Sequence, residues 1–156
     1  MTMKINITIE LVMFLIFFVA PISTFIHELG HMIGAKIVHA QKIEMYIGRG
    51  KNILKISFKN LSFYIHLLFF LGGYTTYMQQ YPYARRDRLI VTCLGPLNNL
   101  IFGLIFLIVY LQLTNEYLFL LFLYNLWLTI VNLIPFKIKG KYSDGLMIYR
   151  LLVNVL

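Results

Sequence analysis

The sequence predicts an integral membrane protein, mainly α-helical, with a core of three transmembrane helices. A small β-hairpin or re-entrant element is expected between the first and second spans. Three observations predict this. Hydrophobic residues make up 60% of the chain and charged residues only 13%, which is unlike a soluble globule. Long apolar runs occupy 11–35, 89–113 and 117–136. The cations are also distributed unevenly. Of 14 Lys and Arg, nine fall between Lys36 and Arg88 and four follow Phe136, while only Lys4 precedes the first run and none lies between the second and third. That is the positive-inside pattern. It puts the N-terminus outside and the C-terminus in the cytoplasm, and it reads the net charge of +8 as topology, not as a nucleic-acid surface.

The elements follow in order, as one core over 1–156. Residues 11–26 carry no charge, and the run reaches Ala35 if a metal site absorbs His27, Glu28 and His31; 25 residues suffice for a tilted span. Pro21 should kink it. A signal peptide would also begin with Lys4 and an apolar core, but here the apolar run continues with no small-residue cleavage site. Between 42 and 79 the pattern changes. Leu54, Ile56 and Phe58 alternate with Lys55, Ser57 and Lys59, a strand period. Gly48-Arg49-Gly50-Lys51 and Lys59-Asn60 read as turns. The uncharged stretch 60–84 is no fourth span, because its apolar part is too short and ends at Gly72-Gly73; a re-entrant piece is expected near 67–74. In the second span Gly95, Asn99 and Gly103 share a helical face suited to packing. In the third, Asn125, Thr129 and Asn132 share a face, the first two suited to bonds between helices. The lone Cys93 reads as a small core residue.

The chemistry is concentrated in His27-Glu28-Leu29-Gly30-His31. On a helix, histidines four apart project from one face and can reach one ion. Glu28 stands about 100° round the helix, where it can act as a base without being a ligand. The bland reading is a chance match or a polar cluster, but two histidines and a carboxylate in a membrane span are costly and usually functional. With a rise of about 1.5 Å per residue, His27 lies about 24 Å below Leu11 in a core about 30 Å thick, near the cytoplasmic side. Asp144 follows the third span on that same side.

These residues resemble the site-2 protease family of intramembrane zinc metalloproteases. The resemblance rests on His27-Glu28-Leu29-Gly30-His31, Gly72-Gly73-Tyr74, Gly95-Pro96-x-x-Asn99, and Asn132-x-x-Pro135 followed by Asp144-Gly145, in the family's order. It implies a three-helix core with zinc held by His27, His31 and Asp144. It also implies Glu28 as catalytic base and strands that present an extended substrate. One departure is clear: the family's aspartate follows the proline more closely than Asp144 follows Pro135. Elimination points to Asp144 all the same. Glu10 and Glu116 lie on the outer side, Asp87 sits among arginines, and Glu44 is on a strand leading away. The plain alternative for Asp144 is a cap on a C-terminal helix.

The expected activity is hydrolysis of a peptide bond in a transmembrane or membrane-associated peptide, within the bilayer. A strand edge among 42–58 or near Gly72 and Gly73 would hold the substrate by strand addition. Asn132 and Asn99 would bond its freed backbone groups. The high Ile, Asn and Lys content points to an AT-rich bacterium, and with the apolar spans to a bacterial cell membrane. A catalytically silent peptide binder, such as a chaperone or immunity factor, is the main rival, and the intact Glu28 argues against it. A metal transporter using His39 and His66 as well fits poorly with three spans and a closed three-ligand site.

Overall fold

The computed structural model describes residues 9–78, 82–138 and 140–153. Three helical stretches in it are long and apolar enough to cross a membrane: Ile9–Ile37, Arg85–Leu113 and Glu116–Leu133. The first is composite. Helix α1 (Ile9–Phe14) passes through a π-helical turn (Leu15–Val19) into α2 (Ala20–Ile37). The wide turn lies just before Pro21, and the Ala20 N–H closes it by donating to the Leu15 carbonyl. The proline expected to kink the span thus coincides with one looser turn, a common way for a helix to absorb such a residue. Helix α3 (Arg85–Leu113) contains Pro96. Helix α4 (Glu116–Leu133) begins under an Asn115 cap whose side chain accepts from the Tyr117 and Leu118 amides. The third span stops at Leu133 instead of Phe136, because Pro135 forces Ile134 into an extended conformation.

Helices α2 and α3 touch backbone to backbone. A Cβ on Gly30 would overlap the Leu94 carbonyl, and one on Gly34 would press on the Val91 Cα. Small residues at such a crossing permit the close packing that drives association in lipid. Polar bonds join α3 to α2 and to α4. The Asn98 side chain donates to the Ile26 carbonyl at 2.6 Å, and Thr129 donates to the Pro96 carbonyl at 3.3 Å. Phe18, Leu97, Ile108, Trp127 and Ile130 remain exposed, as lipid-facing surface requires. Cys93 is exposed too, so it is not the core residue expected.

Between the first two spans lie β1 (Lys42–Phe58) and β2 (Leu61–Met78), an antiparallel pair in which each strand is used twice. Around the Lys59–Asn60 turn, Phe58 faces Leu61 and Leu54 faces Ile65. The outer ends pair from Lys42 with Met78 to Ile47 with Gly73. Residues 43–47 also face 61–65, so the first half of β1 lies between the two halves of β2. Tyr46 is accordingly stacked between Tyr64 at 4.6 Å and Tyr74 at 4.5 Å. Gly48 and Gly50, both at positive φ, bend β1 where the register shifts.

Residues 67–74 lie within β2, with Leu68 opposite Arg49 and Gly73 and Tyr74 opposite Ile47 and Tyr46. The alternating Leu54, Ile56 and Phe58 belong to a strand, and all three are exposed. The buried alternation belongs to Ile43, Met45 and Ile47, which pack on Met32 and Ala35 of α2, on Val38 just after it and on Val91 of α3.

After Pro135 a small hairpin, β3 (Lys137–Ile138) with β4 (Lys141–Tyr142), leads to α5 (Asp144–Leu152). Ser143 ties off the hairpin: its hydroxyl donates to the Ile134 carbonyl and accepts from the Phe136 amide. A Cβ on Gly145 would collide with the Leu133 carbonyl, so α5 rests directly on the end of α4.

Gly30→Val should force α2 and α3 apart. Overpacking of this kind costs about 1–3 kcal/mol, read as a lower thermal midpoint of the detergent-solubilised chain. An unchanged midpoint would disprove the tight crossing.

Candidate metal centre and catalytic site

Helix α2 projects His27 and His31 one turn apart toward α3 and the start of α5. Their Nε2 atoms are 3.1 Å apart. The Asp144 carboxylate completes the group, with Oδ2 at 3.1 Å from Nε2 of His27 and Oδ1 at 3.5 Å from Nε2 of His31. One ligand atom from each of the three lies within 4.8 Å of the others.

The outer nitrogens decide what this cluster is for. His31 Nδ1 lies 2.8 Å from the Val91 carbonyl, which only accepts, so Nδ1 carries the proton. His27 Nδ1 lies 2.6 Å from Asn99 Oδ1. The Asn99 amide donates its N–H groups to the Ser23 carbonyl at 3.0 Å and to Asn125 Oδ1 at 2.7 Å, which fixes Oδ1 toward the histidine as an acceptor. Both imidazoles therefore keep an Nδ1 proton on an outer acceptor and turn Nε2 inward, toward a carboxylate. Two ring nitrogens and a carboxylate converging on one point are a donor set that a cation would complete. Burial works to raise the Asp144 carboxyl, and the bonds to the histidines more than offset it, keeping it below its ordinary value. Two imidazoles and one carboxylate with an open side match the donor set of a catalytic zinc site, including outer hydrogen bonds that orient each histidine.

Several residues make room for this geometry. A Cβ on Gly95 would run into the His31 ring, so only glycine lets α3 pass so close. Ser143 caps α5 by accepting from the Leu146 amide at 3.2 Å, which frees Asp144 from the capping role and turns its carboxylate to the histidines. Asp144 is thus brought to the site although the chain is longer than the resemblance implies.

Glu28 is buried beside the histidines and is held from the sheet. Thr75 Oγ lies 2.7 Å from Glu28 Oε2 and 3.3 Å from the Glu28 carbonyl. Gly73, next along the strand, approaches so closely that a Cβ would meet Glu28 Cγ at 3.1 Å. A cleft of about 340 Å³ opens over His27, Glu28, His31 and Asp144, walled by Gly73, Tyr74 and Thr75 on one side and by Asn132, Lys141 and Tyr142 on others. A second recess of about 180 Å³ meets Glu28 from the side of Gly72, Gly73 and Asn132.

Gly73 and Asn132 border the cleft, and Gly72 borders the second recess alone. Asn99 borders neither. It is fully buried behind His27, with its amide engaged on every side, and it positions a histidine instead of meeting a substrate. Glu44 is excluded as a ligand: Lys42, 2.9 Å away, holds its carboxyl below the ordinary range, with bonds from Tyr46 and Tyr64 besides. Glu10 accepts from the Tyr117 hydroxyl at 2.6 Å, tying the starts of α1 and α4 together. His66 bonds the Ile47 carbonyl, and neither it nor His39 joins the metal group. Thr75, Ser143 and the Val91 carbonyl were not expected. A threonine in a strand and a main-chain oxygen carry no signature in sequence.

A His-Glu-x-x-His helix completed by an aspartate, set among three apolar helices, defines a membrane-embedded metallopeptidase fold. The chain belongs to peptidase family M50, the site-2 protease family of zinc metallopeptidases, whose profile matches residues 13–115. A comparison with curated proteins gave no match. The family match ends before Asn132 and Asp144, so their placement comes from the structure alone.

Two predictions arise from this geometry. Zinc bound per chain should fall sharply in Asp144→Ala and stay near one in Glu44→Ala and Asp87→Ala; full retention in the first would remove Asp144 from the site. Thr75→Val should lower kcat more than KM, and Thr75→Ser should restore most of it. Loss of a charge-assisted hydrogen bond is worth about 1.5–3 kcal/mol, so equal activity of the Val and Ser variants would refute the role.

Proposed function

We propose that the protein is an intramembrane zinc endopeptidase that hydrolyses a peptide bond of a membrane-embedded protein or peptide, near the cytoplasmic face. The N-terminus would lie outside and the C-terminus inside. One observation carries the reading: a buried carboxylate outside the metal group, Glu28, lines the cleft beside His27, His31 and Asp144.

When bound, zinc supplies Lewis acidity that polarises a carbonyl and makes water a better nucleophile at neutral pH. His27, His31 and Asp144 would hold it, with Asn99 and Val91 fixing the histidine rings. Glu28 Oε takes the proton of the attacking water and hands it to the leaving amine as the C–N bond breaks. Thr75 keeps the carboxylate in place for both transfers. A transmembrane helix hides its carbonyls in internal hydrogen bonds, so a substrate must unwind locally. Residues 73–78 pair with β1 along one side only among the described residues, and their other side offers main-chain groups for an added strand. Asn132 donates to the Leu128 carbonyl and borders both recesses, within reach of a freed backbone group. A site built only to bind peptides has no use for a base so held, which favours hydrolysis over a silent chaperone or immunity role.

The test is cleavage of a tethered transmembrane peptide by the zinc-loaded chain and its Glu28→Gln variant. The variant should keep its zinc and lose turnover by a factor of about 10² to 10⁴. Near-normal cleavage by Glu28→Gln would end the proposal.

A further inference from the structure

The β3–β4 hairpin stands over the cleft, and its charge is of one sign. Lys141 lies 4.9 Å from the ring centre of Tyr74, on the strand edge opposite, and so bridges the cleft mouth. Behind it, Tyr142 is covered by Lys137 at 5.0 Å and by the Arg150 guanidinium at 4.8 Å. Arg150 beside Tyr142 holds its phenol below the ordinary value, and Lys137 adds to this. Among the described residues no carboxylate pairs with these three cations: Glu44 is taken by Lys42 and Asp144 faces the histidines. Arg150 and Lys137 are turned to Tyr142, whereas Lys141 brings its charge to the cleft over the ring of Tyr74.

We propose that the hairpin is a substrate-selecting anion subsite, in which Lys141 receives a carboxylate of the peptide as it leaves the cleft, while Arg150 and Lys137, on the Tyr142 ring, add to the positive field there. This rests on the endopeptidase reading. Its location favours a peptide over a lipid headgroup, because Lys141 and Tyr142 line the same cleft as His27 and Glu28. The selection would be sharp in a membrane. Ordinary spans carry Lys or Arg at their cytoplasmic end, and such a flank would meet like charge at the hairpin. Substrates with an acidic flank would be drawn in and the common basic ones turned away, which is specificity by repulsion as much as by attraction.

The test uses full-length Glu28→Gln chain, zinc-loaded, in nanodiscs. The probe is a fluorescent peptide of one apolar span whose flank carries three Glu, three Gln or three Lys. Fluorescence anisotropy should rank Glu above Gln above Lys, with steps of about fivefold, the upper size of a shielded ion pair, shrinking at high salt. Lys141→Gln with Arg150→Gln should bring the three peptides within twofold, and Lys141→Glu should invert the order. A Gln peptide with a free C-terminal carboxylate, beside its amide, tells whether a chain end serves as well as a side chain; the proposal holds either way. It falls if the Glu peptide does not bind, if the order is the same in Lys141→Glu, or if the hairpin variants lose only binding to anionic-lipid nanodiscs. Cleavage by the Glu28 chain separates the two readings. Hairpin-dependent binding without cleavage keeps the subsite and rejects the peptidase, and cleavage indifferent to flank charge does the reverse.

Discussion

Two imidazole nitrogens and a carboxylate face one another at 3.1–3.5 Å. Polar groups brought together in apolar surroundings find no water and must satisfy one another or a bound cation. Much of the fold reads as the means of holding them. The Val91 carbonyl and Asn99 each occupy an outer nitrogen, so neither ring can turn its proton inward. Asn99 is fixed in turn by Ser23 on α2 and Asn125 on α4, and Asn125 donates to the Ser23 hydroxyl at 2.9 Å. The polar chain therefore crosses all three spans, and disturbing any member leaves a buried partner unpaired. Gly30, Gly34 and Gly95 bring α3 close enough for those bonds to be made at all.

The sheet solves a different problem. Strands beside membrane helices must have their backbone groups paired or covered. The first half of β1 is paired on both sides, and its apolar face lies on α2 and α3. Of the sheet's two outer edges, the one along 73–78 lies against the cleft. Because Thr75 on that edge bonds Glu28, the strand and the proposed base are mechanically linked. A substrate strand laid along 73–78 would bear on the segment that holds Glu28.

The helical part was legible because its signals are local. A four-residue histidine spacing, an adjacent glutamate and an uncharged run each name a helix and a face without reference to the rest of the chain. The strands were legible as strands from the alternation of Leu54, Ile56 and Phe58 with polar residues, but that alternation does not say which face is covered, and these three are exposed. The quieter alternation of Ile43, Met45 and Ile47 with Lys42, Glu44 and Tyr46 is the one the helices cover. Asn99 was placed on the correct face of α3, yet its role depended on what stands opposite, and a periodicity does not contain that. Thr75 lay beyond sequence reasoning altogether, since its partner is 47 residues away and its residue type is ordinary in a strand.

The interval from Pro135 to Asp144 shows why added length need not move a ligand. Loop closure depends only weakly on the number of residues enclosed, provided the ends are fixed independently of the middle. Here they are. The Ser143 hydroxyl reaches the Ile134 carbonyl at 2.7 Å, the Ser143 amide donates to the Phe136 carbonyl at 3.0 Å, and Gly145 seats α5 on Leu133. The residues between are diverted into β3 and β4, with Gly140 at positive φ in the turn. The extra chain is therefore neutral for the position of Asp144. Its consequence falls at the cleft mouth instead, where it sets Lys141 and Tyr142 against the edge strand. A change of length that bears on the third candidate ligand leaves Asp144 grouped with His27 and His31 and reshapes the approach to them.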